Sequence, residues 1–248
     1  MTSSLKLPRV IGHRGAATYA PENTLASLRE ARRRGATWVE FDVKLSADNV
    51  PLLMHDESLR RTAGDDRAVA ALPWSELAGL DVGSWFDRGF AGEPVPSLEG
   101  AIACLAENGL GANIEIKPSP IREAGTASAV VAMLRQRWPA SLPPPLLSSF
   151  KDASLAAALR SAPELNRALL LGEVGPDWLA RARSVEAVCL IVDGRKLGAA
   201  RAHEIKDAGF LLGAYTINDP ALARALLAMG VDCIITDTPD VIIAAIGT

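Results

Sequence analysis

The chain is poor in the residues that usually declare a chemistry. It holds only three cysteines, Cys104, Cys189 and Cys233. They are odd in number, none forms a C-x-x-C pair, and each lies in an apolar run. That excludes a disulfide framework and a thiolate metal site, and it predicts reduced core residues. No basic excess is present: 26 Lys and Arg face 29 Asp and Glu, for a net charge of -3. The electrostatic footprint of a nucleic-acid partner is therefore missing. No apolar run approaches the roughly 18 residues of a membrane span. The amino terminus, MTSSLKLPRV, has no apolar signal-peptide core, so a cytoplasmic protein is expected. No G-x-G-x-x-G follows the first strand, where an open dinucleotide-binding sheet would carry it; GHRGAATYA stands there instead. Histidines number only three, so each can be weighed singly.

What is present is apolar and periodic. Hydrophobic residues make up 49% of 248 and charged residues 22%, which suits a large core without long disorder. The most informative stretch is 37–56, TWVEFDVKLSADNVPLLMHD. Val39, Phe41, Val43 and Leu45 alternate with Glu40, Asp42 and Lys44, the period of a strand. One face suits packing under helices. The other carries three formal charges, which no dry core accepts unpaired. A tight turn at 46–49 and a second apolar run, 51–54, follow. A connection this short makes an antiparallel hairpin, because parallel strands need a crossover of about a dozen residues. The hairpin returns His55 to within a residue or two of Asp42.

The rest alternates short apolar runs with helical segments. Strands are predicted at 9–13, 112–117, 146–150, 167–171, 187–192, 211–216 and 231–236. Helices are predicted at 24–34, 97–108, 121–137, 152–160, 177–183, 198–208, 220–228 and 239–246. Removing the hairpin's return strand leaves eight strands, nearly all followed by a helix. That is the count of a (β/α)8 TIM barrel, with its site at the carboxyl ends of the strands. Residues 57–96, rich in Gly, Asp, Arg and Pro, read as an excursion from that pattern: a lid, a binding loop or a plain surface insertion. The expectation is one TIM-barrel domain over 1–248 with a small insertion at 57–96 after the second strand.

At the mouth of such a barrel the strand ends bring together His13, Arg14, Glu40, Asp42, Glu115, Lys117 and Tyr215, and the hairpin adds His55. Three carboxylates repel unless a cation sits between them, and oxygen ligands suit magnesium, calcium or manganese. Two histidines can divide proton transfer. Arg14 and Lys117 add positive charge for an anionic group. The set reads as metal-assisted transfer at a phosphoryl centre. His203, mid-helix between charged residues, reads as solvated surface. Asp48, Asp65, Asp66 and Asp193 read as turn residues, and Asp237 as a helix-start residue rather than a ligand.

These residues fall in motifs that run the length of the chain in order: GHRGAATYAPENT, VEFDVKLSADNVPLLMHD, LRRTAG, SWF and PSLE, IEIK, SSF, YTIN and IITDTPD. In them the chain resembles the glycerophosphodiester phosphodiesterase family, in its short bacterial cytoplasmic form. The resemblance implies one divalent cation, magnesium or calcium, held by Glu40, Asp42 and Glu115. It implies His13 and His55 as general acid and base, and Arg14 and Lys117 as phosphate contacts. The implied reaction cuts a glycerophosphodiester to sn-glycerol 3-phosphate and an alcohol. Tyr215 stands where the family usually has tryptophan, a smaller aromatic face that carries a hydroxyl. Two other readings stay open here: a related barrel phospholipase acting on lipid phosphodiesters, and a non-catalytic phosphoester-binding barrel. The first would want an exposed apolar lid, and Phe86 and Phe90 lie among Asp81, Asp87, Arg88 and Glu93. The second would want a lost histidine or carboxylate, and none is lost. No segment points to a particular oligomeric state.

Overall fold

Among the described residues nine strands carry the alternation read above: β1 (Val10–Gly12), β2 (Trp38–Leu45), β3 (Pro51–Leu53), β4 (Gly111–Ile116), β5 (Leu146–Ser149), β6 (Asn166–Leu171), β7 (Cys189–Asp193), β8 (Leu211–Tyr215) and β9 (Cys233–Thr236). The computed structural model describes residues 5–120 and 122–247. β1, β2 and β4 to β9 pair in parallel in that order, and β1 joins both β2 and β9 to close the ring. β3 stands outside the ring, antiparallel to β2, with Val43 opposite Leu53 and Leu45 opposite Pro51. The Met54 amide donates to the Asp42 carbonyl at 3.1 Å, so His55 arrives one residue past Asp42. The fold is a (β/α)8 TIM barrel with an insertion after the second strand.

The helices are α1 (Leu25–Arg33), α2 (Arg60–Ala63), α3 (Trp74–Leu77), α4 (Leu98–Asn108), α5 (Glu123–Arg137), α6 (Asp152–Ser161), α7 (Trp178–Ser184), α8 (Ala199–Asp207), α9 (Pro220–Ala228) and α10 (Pro239–Ile246). Thr24 and Ser97 are N-caps rather than first helical residues, each accepting from the backbone amide three residues on. Asp219 caps α9, with proline in the first turn. The predicted helix start at Ile121, like residues 1–4 of the amino-terminal stretch, lies outside the described residues.

Side-chain parity sorts the core. Val39, Phe41 and Val43 point outward into one apolar layer with Leu28, Leu98 and Leu105. Ile11, Trp38, Leu146, Ile191, Cys233 and Ile235 fill the barrel floor. Farther along the same inward faces come Glu40, Asp42 and Glu115, so the interior turns from apolar to acidic toward the carboxyl ends. Lys44, next on that face and fully buried, donates to Glu57 Oε1 at 2.5 Å. The segment between β3 and α4 holds α2, α3 and an apolar cluster of its own that includes Leu59, Val69, Leu77, Val82 and Val95. The three cysteines are buried free thiols, and burial pushes Cys233 up to about 12. His203 is exposed on α8.

Candidate active site

The loop after β1 sets the first two residues. Arg14 has φ 48° and Gly15 φ 90°. A Cβ on Gly15 would fall 2.4 Å from Ser27 Oγ, so only glycine fits the turn. Arg14 tolerates the left-handed region because the loop is tied down. Its amide donates to Glu40 Oε2 at 3.0 Å, and the Gly15 amide to the Glu40 carbonyl at 3.2 Å. Ser27 Oγ and the Asn23 amide both donate to the Arg14 carbonyl.

His13 follows β1, with Nδ1 2.6 Å from Asp237 Oδ1 and Nε2 3.9 Å from Glu40 Oε2. His55 follows β3, with Nδ1 2.6 Å from Asp56 Oδ1. Each histidine thus has Nδ1 engaged by a carboxylate, which leaves Nε2 for chemistry. Their surroundings bias them oppositely. Burial works against the charged form of His13, but the Asp237 hydrogen bond and Glu40 outweigh it and raise its pKa. Burial lowers His55, and Arg14 and Lys117 reinforce this against the pull of Asp42.

Glu40, Asp42 and Glu115 are buried, and one carboxylate oxygen from each lies within 4.8 Å of those of the other two. Asn23 fixes Asp42 twice: Nδ2 donates to Oδ2 at 2.8 Å, and Oδ1 accepts from the Asp42 amide at 3.1 Å. Burial opposes the charge on Asp42, yet Lys117, Arg14 and Asn23 hold its pKa well below the usual range. Burial and the Asp42 charge push Glu115 up to about 8, and Glu40 also rises. Lys117 Nζ lies 3.2 Å from both Asp42 Oδ1 and Glu115 Oε1. Strained carboxylates of this kind, offering hard oxygen donors, fit a divalent cation.

One cavity of about 170 Å³ is lined by His13, Arg14, Glu40, His55, Glu115, Lys117 and Tyr215. Asp42 joins it through two of those residues, 3.2 Å from Lys117 Nζ and 3.4 Å from Arg14 Nε. All eight predicted site residues therefore meet at one barrel mouth. Phe150 crosses Tyr215 edge to face at 5.9 Å and supplies an apolar side. Burial pushes the Tyr215 phenol up to about 12, so it stays neutral.

Several residues were not foreseen in these places. Asp237 sits one position before Thr238, the residue that precedes α10, and its carboxylate takes His13 and Asn218 instead of capping the helix. Asp56 is adjacent to His55 in sequence, and that H-D pair was the available signal. Glu22 accepts from Arg14 Nη1 at 2.7 Å. Asn113, opposite Glu40 in the β2–β4 ladder, turns a buried amide into the cavity with neither Oδ1 nor Nδ2 partnered.

The model of the glycerophosphoryl diester phosphodiesterase family matches residues 13–241. A glycerophosphodiester phosphodiesterase of Caldanaerobacter subterraneus subsp. tengcongensis is 30% identical, over 94% of this chain and 96% of that protein. A phosphodiesterase of Oleispira antarctica, solved with the product sn-glycerol-3-phosphate, matches at TM-score 0.95 and 38% identity over 98% of each chain. A glycerophosphodiester phosphodiesterase of Agrobacterium tumefaciens matches at TM-score 0.76 and 28% identity, over 96% of this chain and all of that one.

Proposed function

This chain belongs to the glycerophosphoryl diester phosphodiesterase family and is a phosphoric diester hydrolase, and from that premise we propose which substrate it cuts and which residues cut it. The substrate is a glycerophosphodiester, cleaved to sn-glycerol 3-phosphate and an alcohol, within one domain over 1–248 that carries an insertion at 57–96. The observation that carries this reading is the meeting of two Nδ1-anchored histidines with three clustered, buried carboxylates at one barrel mouth. The relative of known structure that binds sn-glycerol-3-phosphate supports the choice of substrate.

Glu40, Asp42 and Glu115 hold one divalent cation, magnesium or calcium. When bound, it stabilises negative charge on the phosphoryl oxygens. Arg14 and Lys117 contact the phosphate, and Lys117 does so as a point charge. Tyr215 and Phe150 flank the glycerol carbons. His13 and His55 come from different strands and share the proton transfers. One takes the proton of the glycerol 2-hydroxyl as its oxygen attacks phosphorus. The other gives a proton to the departing alcohol as the P–O bond breaks. The cyclic 1,2-phosphate so formed is opened by water with the roles reversed.

Hydrolysis of glycerophosphocholine with and without chelator tests the reading. Activity should vanish with chelator and return with magnesium or calcium, and full activity of metal-free protein would defeat it. A 2-deoxy diester should react far more slowly. Cleavage of that analogue at the ordinary rate would mean direct attack by water.

A further inference from the structure

The segment between β3 and α4 reaches back to the site through one side chain. Arg61, in α2, places its guanidinium between two carboxylates. Its Nε donates to Asp56 Oδ2 at 2.8 Å. Its two Nη atoms donate to the two oxygens of Glu22 at 2.8 and 2.7 Å, a bidentate pair. Asp56 holds His55 through its other oxygen. Glu22 holds Arg14 Nη1 at 2.7 Å. Arg14 in turn lies 3.4 Å from Asp42 through Nε. One guanidinium therefore joins the partner of His55 to the partner of Arg14, two groups that arrive from different strands.

We propose that Arg61 is a positioning residue that sets His55 and Arg14 against each other, and that this is the task of the inserted segment in the reaction. The inference rests on the roles given above to His55 and Arg14. Isolated surface ion pairs contribute little, and Arg61 is 41% exposed. This pair differs in three ways: the contact to Glu22 is bidentate, the same group satisfies a second carboxylate, and each carboxylate ends on a site residue. Trp85 covers the guanidinium, 5.5 Å from its ring, and helps fix its plane. Lysine cannot replace it, because an ammonium is a compact point charge without the planar fork that grips Glu22 while reaching Asp56. The neighbouring Arg60 supplies an internal control. It lies on the same short helix, pairs with Asp66 at 3.3 Å, and both side chains are about four-fifths exposed.

The experiment compares Arg61→Met with Arg60→Met on a glycerophosphodiester with saturating divalent cation. Arg61→Met should lower kcat/KM by about 10–100-fold, the scale on which groups behind a catalytic shell act. Arg60→Met should stay within about twofold. The double variant Arg61→Met with Asp56→Asn should lose less than the product of the two single losses, because the two changes share the path to His55 while Arg61→Met alone also loosens Arg14. The ¹⁵N resonance of His55 Nδ1 should move in Arg61→Met and stay fixed in Arg60→Met, a response that mere loss of packing would not give. If Arg61→Met fails to fold, Arg61→Lys carries the same test, with a smaller loss in the same direction. Wild-type kcat/KM in the Arg61 variants beside an inactive His55→Ala overturns the inference alone. An active His55→Ala overturns the acid/base reading and the inference with it.

Discussion

Asp237 and Asp56 do for the two histidines what no spacing in the chain announces. Each accepts from Nδ1 and so fixes which nitrogen faces the cavity. Asp237→Asn should lower kcat/KM by about 10–100-fold with little change in thermal stability; unchanged kinetics would show that His13 needs no anchor. Glu115 yields a second prediction. Its proton is held up to about 8, against an ordinary 4.5. A group whose folded-state pKa is raised contributes stability that is fully present below the unfolded value and is lost as pH rises through the folded one. Metal-free protein should therefore lose stability relative to Glu115→Gln as pH rises from 4.5 toward 8, read by melts in chelator. Parallel curves would contradict the linkage. Cation binding must displace the same proton, so apparent affinity should climb over that window. At this scale the residue types were legible and some of their partners were not. Arg61 and Glu22 stand 39 positions apart, and only the fold brings them together.

Among the elements, the hairpin was the most legible part. Its alternation and short turn fixed both the antiparallel pairing and the return of His55 to within one residue of Asp42. Boundaries were less so, for physical reasons. Gly111 begins β4 although glycine is a poor strand former, because a Cβ there would meet the Trp38 ring at 2.3 Å. Within 57–96, read as an excursion from the barrel pattern, α3 forms at Trp74–Leu77 because Leu77 anchors it in the segment's own apolar cluster. The loop after β1 yields a prediction at this scale. Gly15→Ala should destabilise by at least about 1–3 kcal/mol, because it combines a left-handed φ with a clash against Ser27. It should also lower kcat/KM, since the same loop carries His13 and Arg14. Calorimetry and kinetics on one preparation would check both, and a variant with wild-type melting would show that the loop is not held as described.

For the molecule as a whole, a net charge of -3 offers no field to draw an anionic ester. Attraction must come from the site itself, where Arg14 and Lys117 are already engaged by the carboxylates and a bound cation would free them for the substrate. Divalent cation should therefore stabilise the whole barrel, by about 2.7 kcal/mol at a hundredfold excess over Kd. Melting with and without magnesium or calcium checks this, and Glu40→Gln should remove most of the shift. An equal shift in that variant would place the cation elsewhere. The barrel count was legible because strand and helix periods alternate so regularly. The apolar floor beneath the acids was not, because parity alone does not say how deep a pocket runs.

The ring closes where β1 meets β9, and His13 takes its carboxylate from Asp237, 224 residues later. A chain still on the ribosome can fold several βα units in sequence, yet it cannot assemble this pair until the barrel's last strand and residue 237 have been made. Competence therefore waits on the closing of the ring. Chains stalled before residue 237 has left the exit tunnel should hydrolyse nothing, whatever structure their earlier strands have acquired.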